Sequence, residues 1–272
     1  MIRLSDEARQ LIAFFEEESG ATVRDCVVAG ERVVFVVAPG EMADAIGPQG
    51  RTVSRVEERV GTRVELVEDA DDPATFVANA LRPAAVYDVT IRDRETESGT
   101  ETVAYAAVNA ADFGAAIGSG GRNVEMAERL AARHFDIDSV TLVPEPDSII
   151  EAVADETGVE PVDALFDHDD GRVVVLVPSG ARATVDDARR GLREQLGWPL
   201  AVVEYASEPA DLVANALAPA EVTNVTVSAS GVAYVEVPEA DRGLAIGSDG
   251  TRIRLARLLA AEYCGLDDVE LT

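Results

Sequence analysis

A six-residue pattern, Ala-Ile-Gly-x-x-Gly, occurs three times in this chain. The copies are Ala45-Ile46-Gly47-Pro48-Gln49-Gly50, Ala116-Ile117-Gly118-Ser119-Gly120-Gly121 and Ala245-Ile246-Gly247-Ser248-Asp249-Gly250. One Gly-x-x-Gly arises readily by chance, but three in the same context restrict the chain to folds built from a repeated module. A glycine after a short helix takes positive φ at little cost, so the chain can reverse there. The last glycine then opens a second helix, whose first N–H groups lack internal partners and whose dipole is positive at that end. Such a turn admits a phosphate close to the backbone. The competing reading is a helix–turn–helix corner that binds nothing. Arg51, Arg122 and Arg252 follow the three turns, placed either to reach a nucleic-acid backbone or to pair with neighbouring acids.

The repeat extends beyond the turns. Val77-Ala78-Asn79-Ala80-Leu81 returns as Val213-Ala214-Asn215-Ala216-Leu217, Pro83 as Pro219, and Val89-Thr90 as Val225-Thr226. Periodicity predicts the order α-β-β-α-α-β within each unit. In the first, Ser5 caps a helix carrying Ala8, Leu11, Ile12 and Phe15, and Gly20 ends it. Strands follow at 23–28 and 32–37, then a short helix from about Glu41, the turn, a helix presenting Val53, Val56 and Val60, and a strand at 63–67. The second unit reads as a helix at 74–81, strands at 86–91 and 102–108 around a polar loop at 92–101, a short helix at 111–117, the turn, a helix with Val124, Ala127, Leu130 and Ala131, and a strand at 140–143. The third has a helix at 147–156 and strands at 161–166 and 172–177. It holds no Gly-x-x-Gly, and its Gly180–Gly197 span is four residues shorter than Gly40–Gly61. The expectation is therefore an α+β chain of four tandem modules, 1–70, 71–144, 145–206 and 207–272. Each would be a three-stranded sheet with helices on one face, and the third would have lost its loop.

The 272 residues carry 51 acids against 23 basic residues, a formal charge of −28, and every basic residue is arginine. Such a charge would ordinarily argue against nucleic acid. The acids are spread along the whole chain, however, as expected of a protein working in very high salt, where the Debye length shrinks to about 3 Å and self-repulsion is screened. Two cysteines (Cys26, Cys264) and two histidines (His134, His168) make neither a disulfide framework nor a zinc set, so no metal and no cofactor is expected. There is no apolar run of membrane-spanning length and no signal-peptide pattern at the acidic start, so the expected location is cytoplasmic, away from membranes. No catalytic constellation or Walker loop is present, and the chain reads as a non-enzyme. Four further groups read as structural. His134 is a helix-end residue with a backbone partner, and Trp198 packs at a module interface. Asp167, His168, Asp169 and Asp170 are a solvated hairpin loop, and Arg189, Arg190 and Arg193 are the solvent face of a helix or an RNA contact.

With the element order and turns in place, the chain resembles the archaeal NusA-like proteins, tandem type II KH domains associated with transcription elongation and termination. Residues 21–26 (Ala-Thr-Val-Arg-Asp-Cys) and Arg32–Val37 are similar to the opening of that family's first KH domain. Ala132-Arg133-His134-Phe135 with Asp138-Ser139-Val140 is similar to the end of its second. The resemblance covers 1–143 closely, 207–272 as another second domain and 145–206 loosely; duplication is the departure. It implies a single-stranded RNA-binding factor with RNA polymerase as partner, since KH loops clamp about four nucleotides. The implied RNA-binding residues are Ile46, Gly47, Pro48, Gln49, Gly50 and Arg51; Ile117, Gly118, Ser119, Gly120, Gly121 and Arg122; and Ile246, Gly247, Ser248, Asp249, Gly250 and Arg252. RNA-binding KH loops commonly hold a basic residue between the glycines. Here the pairs are Pro48-Gln49, Ser119-Gly120 and Ser248-Asp249, and Asp249 repels phosphate. The alternative is thus a KH scaffold for protein contacts with RNA polymerase or the ribosome. Because arginine–phosphate contacts weaken in molar salt, backbone donors and apolar contacts must carry RNA binding. The Ala-Ile pairs with the adjacent strands offer an apolar groove, although burial tendencies assign the isoleucines to the core.

Overall fold

The computed structural model describes residues 4–96 and 99–272. The chain divides between Val143 and Pro144 into two compact units, and the described strands make four separate three-stranded sheets.

In the first unit, α1 (Asp6–Ser19) starts where the Ser5 hydroxyl accepts the Ala8 N–H at 3.1 Å, and it stops at Gly20 in the left-handed region. Its Phe15 is fully buried and stacks on Phe35 with centroids 4.4 Å apart. Strand β1 (Val23–Ala29) runs antiparallel to β2 (Arg32–Val37), which pairs in parallel with β3 (Arg63–Glu68). Between β2 and β3 lie α2 (Met42–Ile46) and α3 (Arg51–Val60). The second module follows with α4 (Pro73–Ala80), β4 (Val86–Thr96), β5 (Gly99–Val108), α5 (Phe113–Ile117), α6 (Arg122–Phe135) and β6 (Ser139–Pro144).

The unbroken apolar run of β2 has a physical reason. Val33, Phe35 and Val37 pack with Phe15 and Val56 of their own module, whereas Val34 and Val36 pack with Phe76, Val77 and Leu81 of the next. A strand covered on both faces loses the alternation of a half-exposed one. The repeated Val-Ala-Asn-Ala-Leu belongs to the same junction: Asn79 donates to the Glu68 carbonyl at 3.1 Å and Asn215 to the Glu204 carbonyl at 2.9 Å. Each asparagine ties the last strand of one module to the first helix of the next.

The polar stretches 92–96 and 99–101 are strand and not loop. β4 and β5 continue as an antiparallel ladder to the pair Thr96–Gly99, and residues 97–98 lie outside the described residues. Polar cross-strand partners hold this end: Arg94 to Glu101 at 2.7 Å, Thr102 to Asp93 at 2.8 Å and Thr100 to Glu95 at 2.9 Å. A ribbon wet on both faces lacks the apolar alternation by which strands are recognised.

The second unit holds α7 (Pro146–Thr157), β7 (Asp163–Asp167), β8 (Arg172–Val177), α8 (Arg182–Leu196) and β9 (Leu200–Glu204). It continues with α9 (Pro209–Leu217), β10 (Asn224–Val227), β11 (Val232–Glu236), α10 (Arg242–Ile246), α11 (Thr251–Cys264) and β12 (Asp268–Leu271). α8 runs unbroken where the first module has two helices and a turn. Trp198 packs edge-on against Phe166 at 4.8 Å inside the third module's own cluster, not at a module interface. The hairpin acids are likewise not simply solvated. Asp167 is buried and bonds Arg172 at 2.9 Å, and Asp170 bonds both Arg172 (2.8 Å) and Arg254 of the fourth module (2.5 Å). His134 does end its helix, but its partners are the Asp25 carboxylate, at 3.2 Å, and the Phe76 ring, which it stacks on at 4.7 Å.

Candidate nucleic-acid interface

The three Gly-x-x-Gly turns share one backbone. Their first glycines, Gly47, Gly118 and Gly247, have φ of 71, 69 and 76° with ψ near-extended at 173, 176 and 173°. The third positions, Gln49, Gly120 and Asp249, lie in the left-handed region at 58, 65 and 51°, and Gly50, Gly121 and Gly250 follow at 75, 82 and 77°. A Cβ on Gly47 would stand 2.0 Å from Thr52 Oγ1, and one on Gly118 would stand 2.6 Å from Asn123 Cγ. The first glycine is therefore required twice over, by its φ and by the closeness of the following helix. At Gly50 and Gly121 only the φ demands glycine, since nothing lies within 4 Å of the added carbon.

Among the described residues, no side chain caps the N-termini of α3, α6 and α11. The Arg51 and Thr251 amides close back onto the Pro48 and Ser248 carbonyls of their own turns, and the positive end of each helix dipole faces whatever approaches the turn. Beside each turn the two residues of Ala-Ile part company. Ala45, Ala116 and Ala245 are fully buried, while Ile46, Ile117 and Ile246 are 41%, 40% and 40% exposed. The assignment of these isoleucines to the core is overturned. A short helix of five residues can turn only one narrow face inward, and the small alanine occupies it, leaving the isoleucine on the rim.

Arg51 and Arg122 also depart from the acid-pairing alternative. Arg51 Nε donates to the Pro48 carbonyl at 3.1 Å and Arg122 Nε to the Ser119 carbonyl at 2.9 Å, so each guanidinium folds over its own turn. Arg252 is not their counterpart. Thr251 opens α11 where Arg51 and Arg122 open α3 and α6. Arg252, one residue later, takes the place of Thr52 and Asn123, its Cβ 2.9 Å from the position of a carbon added to Gly247. It donates to the Leu244 carbonyl. Counting positions from the last glycine would have exposed this difference.

Sequence reasoning passed over Arg32 and Arg172. Each opens the central strand of one module and donates to the first-turn carbonyl of a helix in the next, Arg32 to Arg122 O and Arg172 to Thr251 O, the latter at 2.9 Å. The second turn consequently faces a cleft of about 620 Å³ shared with the first module, lined by Arg32, Arg63, Arg122, Gly118 and Ser119 together with Glu31 and Glu65. Their recurrence before an apolar strand was the available signal. No group of His, Cys, Asp and Glu suited to a metal is found among the described residues, nor is any helix long and apolar enough to cross a membrane.

Four three-stranded sheets, the α-β-β-α-α-β order and glycine turns feeding uncapped helices define tandem KH modules. Residues 73–145 and 209–264 match the family described as NusA-like second KH domain, and residues 10–77 match KH domain. The chain is 56% identical over 141 residues to a protein of Halobacterium salinarum named probable transcription termination protein NusA, covering 52% of this chain and 98% of that one. It is 33% identical over 144 residues to a protein of the same name from Methanocaldococcus jannaschii, covering 53% and 76%. A solved structure titled "Crystal structure of APE1850" shares 30% identity with a TM-score of 0.45, over 51% of this chain and 99% of that one. The chain belongs to the archaeal NusA-like family, and its acid excess is that of a halophilic member.

Proposed function

We propose that this chain is a single-stranded RNA-binding factor of transcription termination and elongation, acting by binding alone and without catalysis. The working units are the modules 1–70, 71–144 and 207–272, with 145–206 as a module that does not clamp. The observation that carries the reading is the shared geometry of the three turns: left-handed backbone, an uncapped helix N-terminus and an isoleucine held on the rim. The amides would hold phosphate oxygens, and Ile46, Ile117 and Ile246 would meet the bases. Neither contact depends on long-range charge, which suits molar salt. The names of the relatives extend the reading to transcription termination, and RNA polymerase is the protein partner proposed with it. A scaffold role is favoured by one observation, that the Nε–H groups of Arg51 and Arg122 are each taken up by a carbonyl of their own turn.

The deciding experiment is binding of single-stranded RNA by the intact chain in about 2 M KCl, where charge repulsion is screened. It is compared with S119D/G120D, an acidic pair in the second turn. The variant is expected to fold, because Asp249 already holds the equivalent left-handed position at φ 51°. Loss of binding in the variant supports the clamp. No binding by the intact chain to a panel of RNAs rejects it in favour of the scaffold.

A further inference from the structure

The junction of the third and fourth modules has a cleft of about 390 Å³ in which Arg172, Arg182, Arg189 and Arg252 converge over Ala201 and Thr251, and no carboxylate lines it. In a chain with more than two acids for each arginine, that composition calls for an explanation. The corresponding cleft of the first unit supplies the contrast. There Glu65 pairs with Arg32 at 3.0 Å and with Arg63 at 3.5 Å, and Glu31 precedes Arg32. Strand register shows what the second copy has changed. Glu65 stands opposite Val34 and Ala201 opposite Val174, so alanine replaces the neutralising glutamate, and Gly171 precedes Arg172 in place of Glu31.

The arginines differ in how far they are neutralised. Arg172 is held by Asp167 and Asp170, while Arg182 and Arg189 share Asp186. No carboxylate pairs with Arg252 among the described residues; its hydrogen bond is to a backbone carbonyl. Burial, with the charges of Arg182 and Arg172, holds its guanidinium below the usual arginine value. A half-buried arginine repelled by two others, and opposed by no acid among the described residues, is chemically suited to receive an anion.

We propose that this cleft is a phosphate-recognition site, with Arg252 and Arg182 as its principal donors and a phosphodiester of bound RNA as its ligand. The cleft stands beside the one turn of the second unit, Gly247–Gly250, and beside the unbroken α8 that replaces the lost turn. A strand leaving the fourth module's turn would then meet guanidinium groups where the first unit offers a second glycine turn. Only the source of the phosphate rests on the RNA-binding reading of the turns.

The test uses the full chain, ¹⁵N-labelled, in about 2 M KCl, and follows the Arg252 Nε–H resonance. The two probes are inorganic phosphate and a single-stranded RNA of about 12 nucleotides, three turns at four each. Both should move the signal. A201E, which restores the acid of the first cleft without removing an arginine, should suppress both responses and lower RNA affinity about tenfold. R252Q should lower RNA affinity to a similar degree. Movement with phosphate but not with RNA keeps the site and assigns it to free phosphate. A silent Arg252 with both probes, or an A201E protein that is folded and responds as the wild type does, overturns the proposal. S119D/G120D separates the two readings, since it should abolish RNA binding by the second turn while leaving the Arg252 response to inorganic phosphate unchanged.

Discussion

Asp25 and Arg133, 108 residues apart in sequence, form a two-pronged ion pair across the two modules of the first unit. Nε donates to Oδ2 at 2.9 Å and Nη2 to Oδ1 at 2.7 Å. The carboxylate has no solvent exposure and also accepts the Cys26 amide at 2.8 Å. Burial alone would raise its pKa. The His134 and Arg133 hydrogen bonds, the Arg133 charge and the Cys26 amide outweigh burial and bring it down to about 2. In the second unit the position of Asp25 is held by Asp163, and it accepts instead from the Tyr263 hydroxyl at 2.9 Å.

Removing this carboxylate should be costly, because it strands a guanidinium in a largely dry junction. Asp25→Asn is expected to destabilise the first unit by about 3 kcal/mol, read as a lowered urea midpoint in molar KCl. An unchanged midpoint would show that the pair contributes nothing.

The same group sets an acid dependence. Its folded pKa is depressed, so its stabilisation is complete above the unfolded value near 3.8 and fades as pH falls through about 2. Over that window the wild type should lose about 2 kcal/mol that the Asp25→Asn protein does not. Parallel stability curves for the two proteins between those pH values would contradict the assignment.

The two glycines of a turn should differ. Gly118→Ala combines a left-handed φ with a carbon 2.6 Å from Asn123, and should cost about 2–3 kcal/mol. Gly121→Ala, with open space around it, should cost about 1 kcal/mol. Thermal melts of the two single variants test the order; equal losses would mean that the packing on Asn123 yields freely.

Ile117 separates a rim role from a core role. Ile117→Ala should leave the melt within about 0.5 kcal/mol of wild type, yet weaken RNA binding about fivefold, through roughly 1 kcal/mol of lost apolar contact. A large drop in stability with unchanged RNA affinity would return the residue to the core.

Asn79 and Asn215 invite a paired comparison. Alanine at either site leaves a strand-end carbonyl without its donor, and each should lower the stability of its own unit by about 1–2 kcal/mol. Separate denaturation of the two units, followed by Trp198 fluorescence for the second unit and by circular dichroism for the whole chain, would show whether each loss stays in its own unit.

Much of this protein was legible before any coordinates. Gly47, Gly118 and Gly247 announced the turns because positive φ is a property of one residue and its neighbours. Ser5 announced a helix start for the same local reason. The ribbon around Arg94 and Glu101 reads as a loop in sequence, because polar side chains form a strand when a partner strand satisfies them, and the partner is not written in the local pattern. Residue type alone places Ile117 inward, whereas its neighbour Ala116 is the one that fits.

The sequence by itself determined the repeated module, the order of its elements, the glycine-led reversal at the three turns and the absence of a Gly-x-x-Gly between Gly180 and Gly197. All of these follow from local sterics and hydrophobic period. Tertiary structure alone decided that Asp25 meets Arg133, that Asp170 bridges Arg172 and Arg254, and that Arg252 faces other arginines with no acid opposite among the described residues. Electrostatic partnership depends on distance and dielectric, and packing sets both only once residues far apart in the chain have been brought together.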